Sequence, residues 1–274
     1  MIAPIEIVPG RIYRLGGSVK LNNNVSWVPA HVRGYQPQNC YLVVEGDRAT
    51  LIDTGIAAHK HIITEQLLQV LPKGMPLTVF LTRSEYDCIG SLAEIQKHVQ
   101  VERLLAGGSV NPFDAFDAVI ELEGTWDNRI QLGRNPVGGA STLETSDQLE
   151  TITPALRLLV TFWVYDKVSK TFFSSDLFGH TVTTNEDDAV IIDAGQADAI
   201  TRTGVREHME SKFHWLPHSV PDGVPARDLR KLFAEREIEN IAPSHGLVLR
   251  GNEVVQRHFD HVITLLDNPW GTAA

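Results

Sequence analysis

The chain has 274 residues, of which 43% are hydrophobic, and its formal net charge is −10. This length and composition allow a large buried core, in one large or two small domains. The acidic balance argues against a nucleic-acid partner, because proteins that bind a phosphate backbone present basic surface. Two cysteines, Cys40 and Cys88, are too few for a disulfide framework.

The sequence has no run of about 18 apolar residues, so we expect no helix that crosses a membrane and no membrane partner. Its first residues lack the basic segment followed by an apolar segment that marks a secretory signal. We therefore expect a cytoplasmic protein.

Strand and helix patterns alternate along the first part of the chain, which predicts a layered α/β structure. The predicted strands are at residues 5–13 (a pair that turns at Pro9 and Gly10), 41–44, 49–52, 77–81 and 101–105, and the predicted helices are at 59–70 and 89–98. Residues 124–148 are polar and rich in glycine, which indicates an extended loop or lid. Further helices are predicted at 197–213, 225–236 and 253–266, with a strand at 238–242.

Residues 81–90 form a polar turn between a predicted strand and a predicted helix, and they read Leu-Thr-Arg-Ser-Glu-Tyr-Asp-Cys-Ile-Gly. This stretch resembles the metal-binding motif of the metallo-β-lactamase superfamily, Thr-His-x-His-x-Asp-His-x-Gly. It resembles still more the flavodiiron variant, in which the second His is Glu. Arg83 stands at the first His and Glu85 at the flavodiiron Glu. Asp87 stands at the Asp, and Cys88 replaces the last His.

Three other stretches carry the same resemblance. The strand that ends in Ile-Asp-Thr-Gly is similar to the opening of the superfamily, where the Asp supports the metal ligands, so the resemblance gives Asp53 this role if a metal is present. In the alternative interpretation, Asp53 caps the helix that starts near Ala57. Residues 153–179 resemble the flavodiiron segment with one His and one bridging Asp, which fall on Arg157 and Asp176. Residues 243–246, Pro-Ser-His-Gly, match the motif of the last ligand, His245.

The resemblance runs from about residue 39 to residue 251. It implies an α/β fold, namely the four-layer αββα metallo-β-lactamase-like sandwich, as a single domain over residues 1–274. The flavodoxin domain that carries the flavin in flavodiiron proteins is not expected. Because flavodiiron relatives dimerise, the resemblance includes a homodimer among the expected assemblies.

In the flavodiiron pattern the first metal is held by residues that map onto Arg83, Glu85, Arg157 and Asp176. Arginine stays protonated and offers no lone pair, so it cannot ligate a metal. We therefore interpret this position as a vestigial first-metal site. We expect Arg83 and Arg157 to form ion pairs with Glu85 and Asp176 instead.

The second metal position keeps more ligands, because it maps onto Asp87, Cys88, Asp176 and His245. Thiolate, carboxylate and imidazole suit Zn²⁺, and they suit Fe²⁺ as well. Two alternatives stay open: in one, Cys88 is only a small buried side chain, and in the other, His245 is a relic of the motif that hydrogen-bonds to Asp87. We expect no metal or a single zinc or iron ion, and no flavin.

Three functions follow from these residues. The first is a protein that keeps the fold to bind a partner or a small molecule, such as an anion held by Arg83 and Arg157. The second is a hydrolase of an ester, thioester or lactone that uses one metal-bound water. The third is a two-iron reductase of oxygen or nitric oxide, which the arginines and the expected lack of a flavin domain disfavour.

Overall fold

A computed structural model describes residues 3–107, 111–117, 119, 130–135, 138–157, 160–196, 200–219 and 223–267. The chain divides into two compact units. The first unit comprises Met1–Gly17, Gln38–Thr153 and Leu159–Val164, and the second comprises Ser18–Pro37, Pro154–Leu158 and Tyr165–Ala274.

The strands of the described residues are β1 (Ile5–Val8), β2 (Ile12–Leu15), β3 (Ser18–Leu21), β4 (Gly34–Pro37), β5 (Cys40–Glu45), β6 (Arg48–Ile52), β7 (Leu77–Phe80), β8 (Val101–Ala106), β9 (Gln131–Arg134), β10 (Ala140–Leu143), β11 (Ser146–Ile152), β12 (Trp163–Asp166), β13 (Thr171–Ser175), β14 (Ile191–Ile192), β15 (Asn240–Pro243) and β16 (Val248–Arg250). The helices are α1 (Lys60–Val70), α2 (Tyr86–Ile89), α3 (Leu92–Gln96), α4 (Pro112–Ala115), α5 (Arg202–Lys212), α6 (Leu216–Ser219), α7 (Val224–Glu235) and α8 (Asn252–Asp267). A 3₁₀ helix at Ala57–His59 precedes α1.

The first unit is built on a sheet with the strand order β1-β2-β5-β6-β7-β8-β9. Strands β6 to β9 are parallel, and β7 is buried over its whole length, as parallel strands covered on both faces are. Ile52 of β6 pairs with Phe80 of β7, so both strands end at the same edge of the sheet. The loops that follow them carry the polar residues of this unit.

In the second unit, β13, β15, β16 and β14 lie side by side in that order. Strand β13 runs parallel to β15, with Ser175 opposite Pro243. The residues just after these two strands, Asp176 and His245, are therefore placed near each other by the register. Helix α8 contacts α5, α7, β15 and β16, and strands β3 and β4 form an antiparallel hairpin.

The structure divides the helix predicted at residues 89–98 into α2 and α3. The helical hydrogen bonds are interrupted at Ser91, whose backbone N–H bonds to the Thr54 hydroxyl at 3.2 Å. Gly90 also lies so close to the backbone of Ala57 that a Cβ there would be 2.6 Å from its nitrogen. A contact with a distant loop thus overrides the local helical pattern.

Residues 124–148 are not the single extended loop that their composition predicts. Strand β9, strand β10 and the start of β11 lie within this range, and residues 124–129, 136 and 137 lie outside the described residues. Strand β9 forms because it pairs in parallel with β8, with Gly133 opposite Leu105. Helix α5 begins at Arg202, after the Thr201 cap, and residues 197–199 of the predicted helix also lie outside the described range.

Candidate functional site

Asp53 follows β6 and anchors the loop that follows β7. Its carboxylate accepts a hydrogen bond from the backbone N–H of Thr82 and another from the Thr82 hydroxyl, both at 2.8 Å. Asp53 is buried and has a positive φ of 58°. Burial raises the pKa of Asp53 to about 6, although the Arg83 charge and the bonds from Thr82 act in the opposite direction. The alternative role as a helix cap is not seen, because the 3₁₀ helix at Ala57 begins after Ile56 with no side-chain cap.

Arg83, Glu85 and Asp87 form an ion-paired group in the first unit, which we call the Arg83 cluster. The Arg83 Nε donates to Glu85 Oε2 at 3.0 Å, and Nη2 pairs with Asp87 Oδ2. The Arg83 side chain is 1% exposed, whereas Asp87 is 10% and Glu85 32% exposed. The guanidinium is therefore the buried centre of the cluster, and the ion pair with Glu85 is the one that the sequence leads us to expect.

Cys88 lies within α2, directly after Asp87 of this cluster, and is fully buried. Its Sγ is 3.7 Å from Asp87 Oδ1 and 3.8 Å from the Thr82 hydroxyl. The thiol thus lies among polar side chains as well as in the core of the first unit.

Asp176 and His245 lie together in the second unit, as the pairing of β13 with β15 requires. The His245 Nδ1 is 3.7 Å from Asp176 Oδ1, and both side chains are buried. Ser175, which turns the chain into Asp176, has a positive φ of 53°. A positive φ is unfavourable for a residue with a Cβ, and such strained conformations are often found at functional sites.

The cation beside Asp176 is Lys212, a residue that lies outside every motif of the sequence. Its Nζ donates to the Asp176 backbone carbonyl at 2.9 Å and lies 3.6 Å from Asp176 Oδ1. The side chain of Lys212 is 5% exposed. The sequence signal for this lysine is its helical spacing, since Lys212 lies on the same buried face of α5 as Val205 and His208.

The predicted ion pair between Arg157 and Asp176 is wrong. Arg157 is half-buried and forms no ion pair with any residue that the structure describes. The physical reason is that α5 packs its own buried lysine onto Asp176, so the counter-charge comes from a helix that motif alignment does not include.

Trp27, in the connection between β3 and β4, covers one face of His245. The indole and imidazole rings stack with centroids 4.5 Å apart and planes 11° apart. The Trp27 Nε1 donates to Gln36 Oε1 at 2.8 Å, and Gln36 Nε2 donates to the Gly179 carbonyl at 3.1 Å. The motif around His245 gives no indication of this partner. We call Asp176, Lys212, His245 and Trp27 the Asp176 cluster.

The eight residues predicted for the site are thus divided between the two units. The first unit holds Asp53, Arg83, Glu85, Asp87 and Cys88, and the second holds Arg157, Asp176 and His245. Within the described ranges, no group of three or more His, Cys, Asp or Glu side chains is arranged to hold a metal ion. The helices described also include none that is long and apolar enough to cross a membrane.

Three solved structures have a fold similar to that of this chain. Rubredoxin oxygen:oxidoreductase from Desulfovibrio gigas has a TM-score of 0.66 at 17% identity, over 97% of this chain and 62% of that one. The flavodiiron protein from Giardia intestinalis has a TM-score of 0.63 at 16% identity, over 98% of this chain and 60% of that one. The DIM-1 metallo-β-lactamase, exposed to ceftazidime, has a TM-score of 0.52 at 14% identity, over 95% of this chain and 96% of that one.

This chain therefore has the metallo-β-lactamase-like sandwich fold, as predicted. Residues 37–246 match the model of the family described as ODP family beta lactamase, and the chain belongs to that family. A comparison with curated proteins gives no match. The chain spans less than two thirds of the Desulfovibrio and Giardia proteins.

The expectation of no flavin, and of no metal or a single zinc or iron ion, is contradicted by these similarities. The finding that overturns it is the match to flavodiiron proteins, a class named for a flavin and two irons. The resemblance to the flavodiiron branch of the metallo-β-lactamase superfamily is confirmed.

Proposed function

We propose that this chain is a flavodiiron-like protein in which Arg83 takes the place of the first metal, and that it binds a small ligand rather than reducing oxygen or nitric oxide. The observation that carries the proposal is the buried pairing of Arg83 with Glu85 and Asp87. Both carboxylates stand at positions where the superfamily motif has metal ligands.

The Arg83 cluster does not fit the first iron of a two-iron centre. The guanidinium stays protonated and has no lone pair to give to a metal. It also engages the carboxylate oxygens that an iron would need, with Nε 3.0 Å from Glu85 Oε2. A divalent ion would have to displace a buried cation and would be repelled by it. The cluster therefore supports an interpretation in which two-iron reductase chemistry has been lost.

Lys212 supports the same interpretation from the second unit. A carboxylate buried without a counter-charge costs several kcal/mol, and Lys212 Nζ lies 3.6 Å from Asp176 Oδ1. The lysine therefore supplies positive charge beside the residue that aligns with the bridging carboxylate of flavodiiron proteins.

Of the two arginines, Arg157 is the one that we propose binds the ligand. Arg83 is engaged by two carboxylates, so it is a poor site for an added anion. Arg157 is half-buried and has no ion pair among the described residues, and a guanidinium in this state matches carboxylate or phosphate geometry. A small anion is thus the ligand class that the proposal names.

We also propose that the protein is cytoplasmic and forms a homodimer. Cytoplasmic location is supported by Cys40 and Cys88, which are buried thiols and form no disulfide among the described residues. A homodimer is supported by the resemblance to flavodiiron proteins, and the net charge of −10 supports a partner other than nucleic acid.

Iron uptake tests the role of Arg83. The wild-type chain, Arg83→His and the matched surface variant Arg33→His are loaded anaerobically with Fe²⁺, freed of excess metal and analysed for iron and for oxygen consumption with a chemical reductant. We expect Arg83→His to take up more iron than the other two proteins, because imidazole restores a ligand. Two equivalents of iron in the wild-type chain, lost in Asp87→Asn and accompanied by oxygen consumption, would contradict the proposal.

Anion binding tests the role of Arg157 separately. Thermal shift with phosphate and with acetate is compared for the wild-type chain, Arg157→Gln and the exposed control Arg227→Gln. We expect anion-dependent stabilisation that only Arg157→Gln removes. Equal shifts in all three proteins would remove Arg157 from the proposal and leave the interpretation of Arg83 intact.

A further inference from the structure

Four histidines lie close together in the second unit, and two of them, His180 and His208, line a small cavity with Asp176 and Lys212. His180 follows Asp176, His208 lies on α5, and His258 and His261 lie one turn apart on α8. The His180 Nε2 is 2.7 Å from the His258 Nδ1, and the two rings stack with centroids 4.9 Å apart. The centroid of His261 is 6.4 Å from that of His258. We call these four residues the histidine cluster.

Three of the four rings are buried, and His261 is half-buried. His258 is 0% exposed, His180 6% and His208 8%. Among the described residues, no hydrogen-bond partner faces the outer nitrogens of these rings, His180 Nδ1, His258 Nε2 and His208 Nε2. The His180–His258 contact needs one N–H and one lone pair. If both rings were protonated, two N–H groups would point at each other across 2.7 Å.

The surroundings do not favour positive charge. The charged or titratable groups around the rings are Lys212, Arg202 and Glu207 on α5, Arg257 and Asp260 on α8, His31 in the connection between β3 and β4, and Asp176 across a small cavity. Glu207 acts on His208 and Asp260 on His261, whereas Asp176 is engaged by Lys212. The charges that act on His180 and His258 come from cations and from other histidines. Added protons in the centre of the cluster therefore meet repulsion.

Burial is the main cause that lowers the pKa of these groups. It brings the pKa of His208 and of His258 to about 4 and holds the pKa of His180 well below its usual range. A histidine whose folded pKa is lowered contributes stability that is complete above the unfolded value of 6.5 and is lost as the pH falls towards the folded value. The relevant window is therefore between about pH 6.5 and pH 4.

We propose that the histidine cluster is an acid-sensitive latch: neutral rings hold α5 and α8 against the segment that follows β13, and protonation releases these two helices. His180 contacts His258 of α8, His208 of α5 lines the same small cavity as His180, and α5 contacts α8 directly. The same helix α5 carries Lys212, so release also draws this lysine away from Asp176. The latch does not depend on the proposed ligand or on the state of Arg83.

Hydrogen exchange between pH 7 and pH 5, corrected for the intrinsic pH effect, tests the latch, with helix α1 of the first unit as internal reference. We expect the opening equilibrium of α5 and α8 to rise by about 20-fold for each coupled ring, with a much smaller change in α1. His258→Asn keeps a hydrogen-bonding atom near the Nδ1 position without titrating in this range. We expect this variant to lose the part of the acid-induced rise in opening that one ring contributes. The exposed control His98→Asn, which lies outside α1, should leave the profile unchanged.

Equal acid sensitivity in His258→Asn and the wild-type chain would overturn the proposal, and so would parallel loss of protection in α1, α5 and α8. If His258→Asn does not fold at pH 7, the ring resonances of the wild-type chain decide. Titration of His180 and His258 below pH 5 together with loss of α8 protection supports the latch. Titration near pH 6.5 with protection retained contradicts it.

Discussion

The Arg83 cluster and the Asp176 cluster each place a buried cation beside carboxylates, but they obtain it in different ways. Arg83 pairs with residues two and four positions later in the same loop and helix. Lys212 reaches Asp176 from a helix 36 residues further along the chain. The first arrangement depends on a short stretch of backbone, whereas the second exists only when α5 packs against the end of β13. Local pairing should therefore persist when the fold loosens, and distant pairing should not.

Removal of the guanidinium should give the largest loss of stability. Arg83→Met leaves Asp87, 10% exposed, and the more exposed Glu85 without their cation. We expect the free energy of unfolding to fall by about 3–5 kcal/mol, as for a broken buried ion pair. Urea unfolding of Arg83→Met and of the surface control Arg33→Met measures the effect, and a loss equal to that of the control would refute the assignment.

Lys212→Met should lower the free energy of unfolding by less, about 2–3 kcal/mol. The methionine fills the space but leaves the Asp176 carboxylate buried without its cation. The added change Asp176→Asn should recover part of this loss, since the buried charge is then removed. Thermal and urea unfolding of the two single variants and the double variant measure the coupling. A double variant that is as unstable as the sum of the single variants would show that Lys212 acts through packing alone.

Most carboxylates stabilise a fold as the pH rises from acid towards neutral, but Asp53 should lower the free energy of unfolding over this range. Its folded pKa of about 6 lies above the reference value of 3.8, so its ionisation reduces stability as the pH rises between these values, and the loss is complete above pH 6. In Asp53→Asn this contribution is absent. Between pH 4.5 and pH 7, we expect the free energy of unfolding of the variant to rise by about 2 kcal/mol more than that of the wild-type chain. Parallel stability curves would contradict the raised pKa.

Arg157→Gln should have the smallest effect on stability, under about 0.5 kcal/mol, because the side chain is half-buried and has no ion pair among the described residues. Chemical denaturation beside Arg227→Gln is the measurement. A loss of 2 kcal/mol or more would indicate a structural role and would restore the ion pair that the sequence suggested.

The same difference between local and distant contacts explains what could be predicted from the sequence. The pairing of Arg83 with Glu85 follows from a motif in which both residues occupy neighbouring ligand positions. The motifs at Asp53, Asp176 and His245 place each residue just after a strand, and the fold follows from their order. These features depend on residues close in sequence, where spacing fixes geometry.

Lys212 and Trp27 could not be found in this way, because each lies on an element outside the motifs and reaches its partner only through packing. The division of the predicted helix into α2 and α3 has the same origin, since Ser91 bonds to Thr54 rather than within the helix. Strand β9 was missed because its pairing with β8 outweighs its polar, glycine-containing composition.

A double-mutant cycle between Arg83 and Asp87 tests the central claim most directly. The free energy of unfolding is measured for the wild-type chain, Arg83→Met, Asp87→Asn and the double variant, with chelator and with added Fe²⁺. If Arg83 is the counter-charge of this site, the coupling energy is about 2–3 kcal/mol and is the same in both conditions. Additive losses in chelator, or a stabilisation by Fe²⁺ that Asp87→Asn abolishes in the presence of Arg83, would show that a metal and not the arginine neutralises the site.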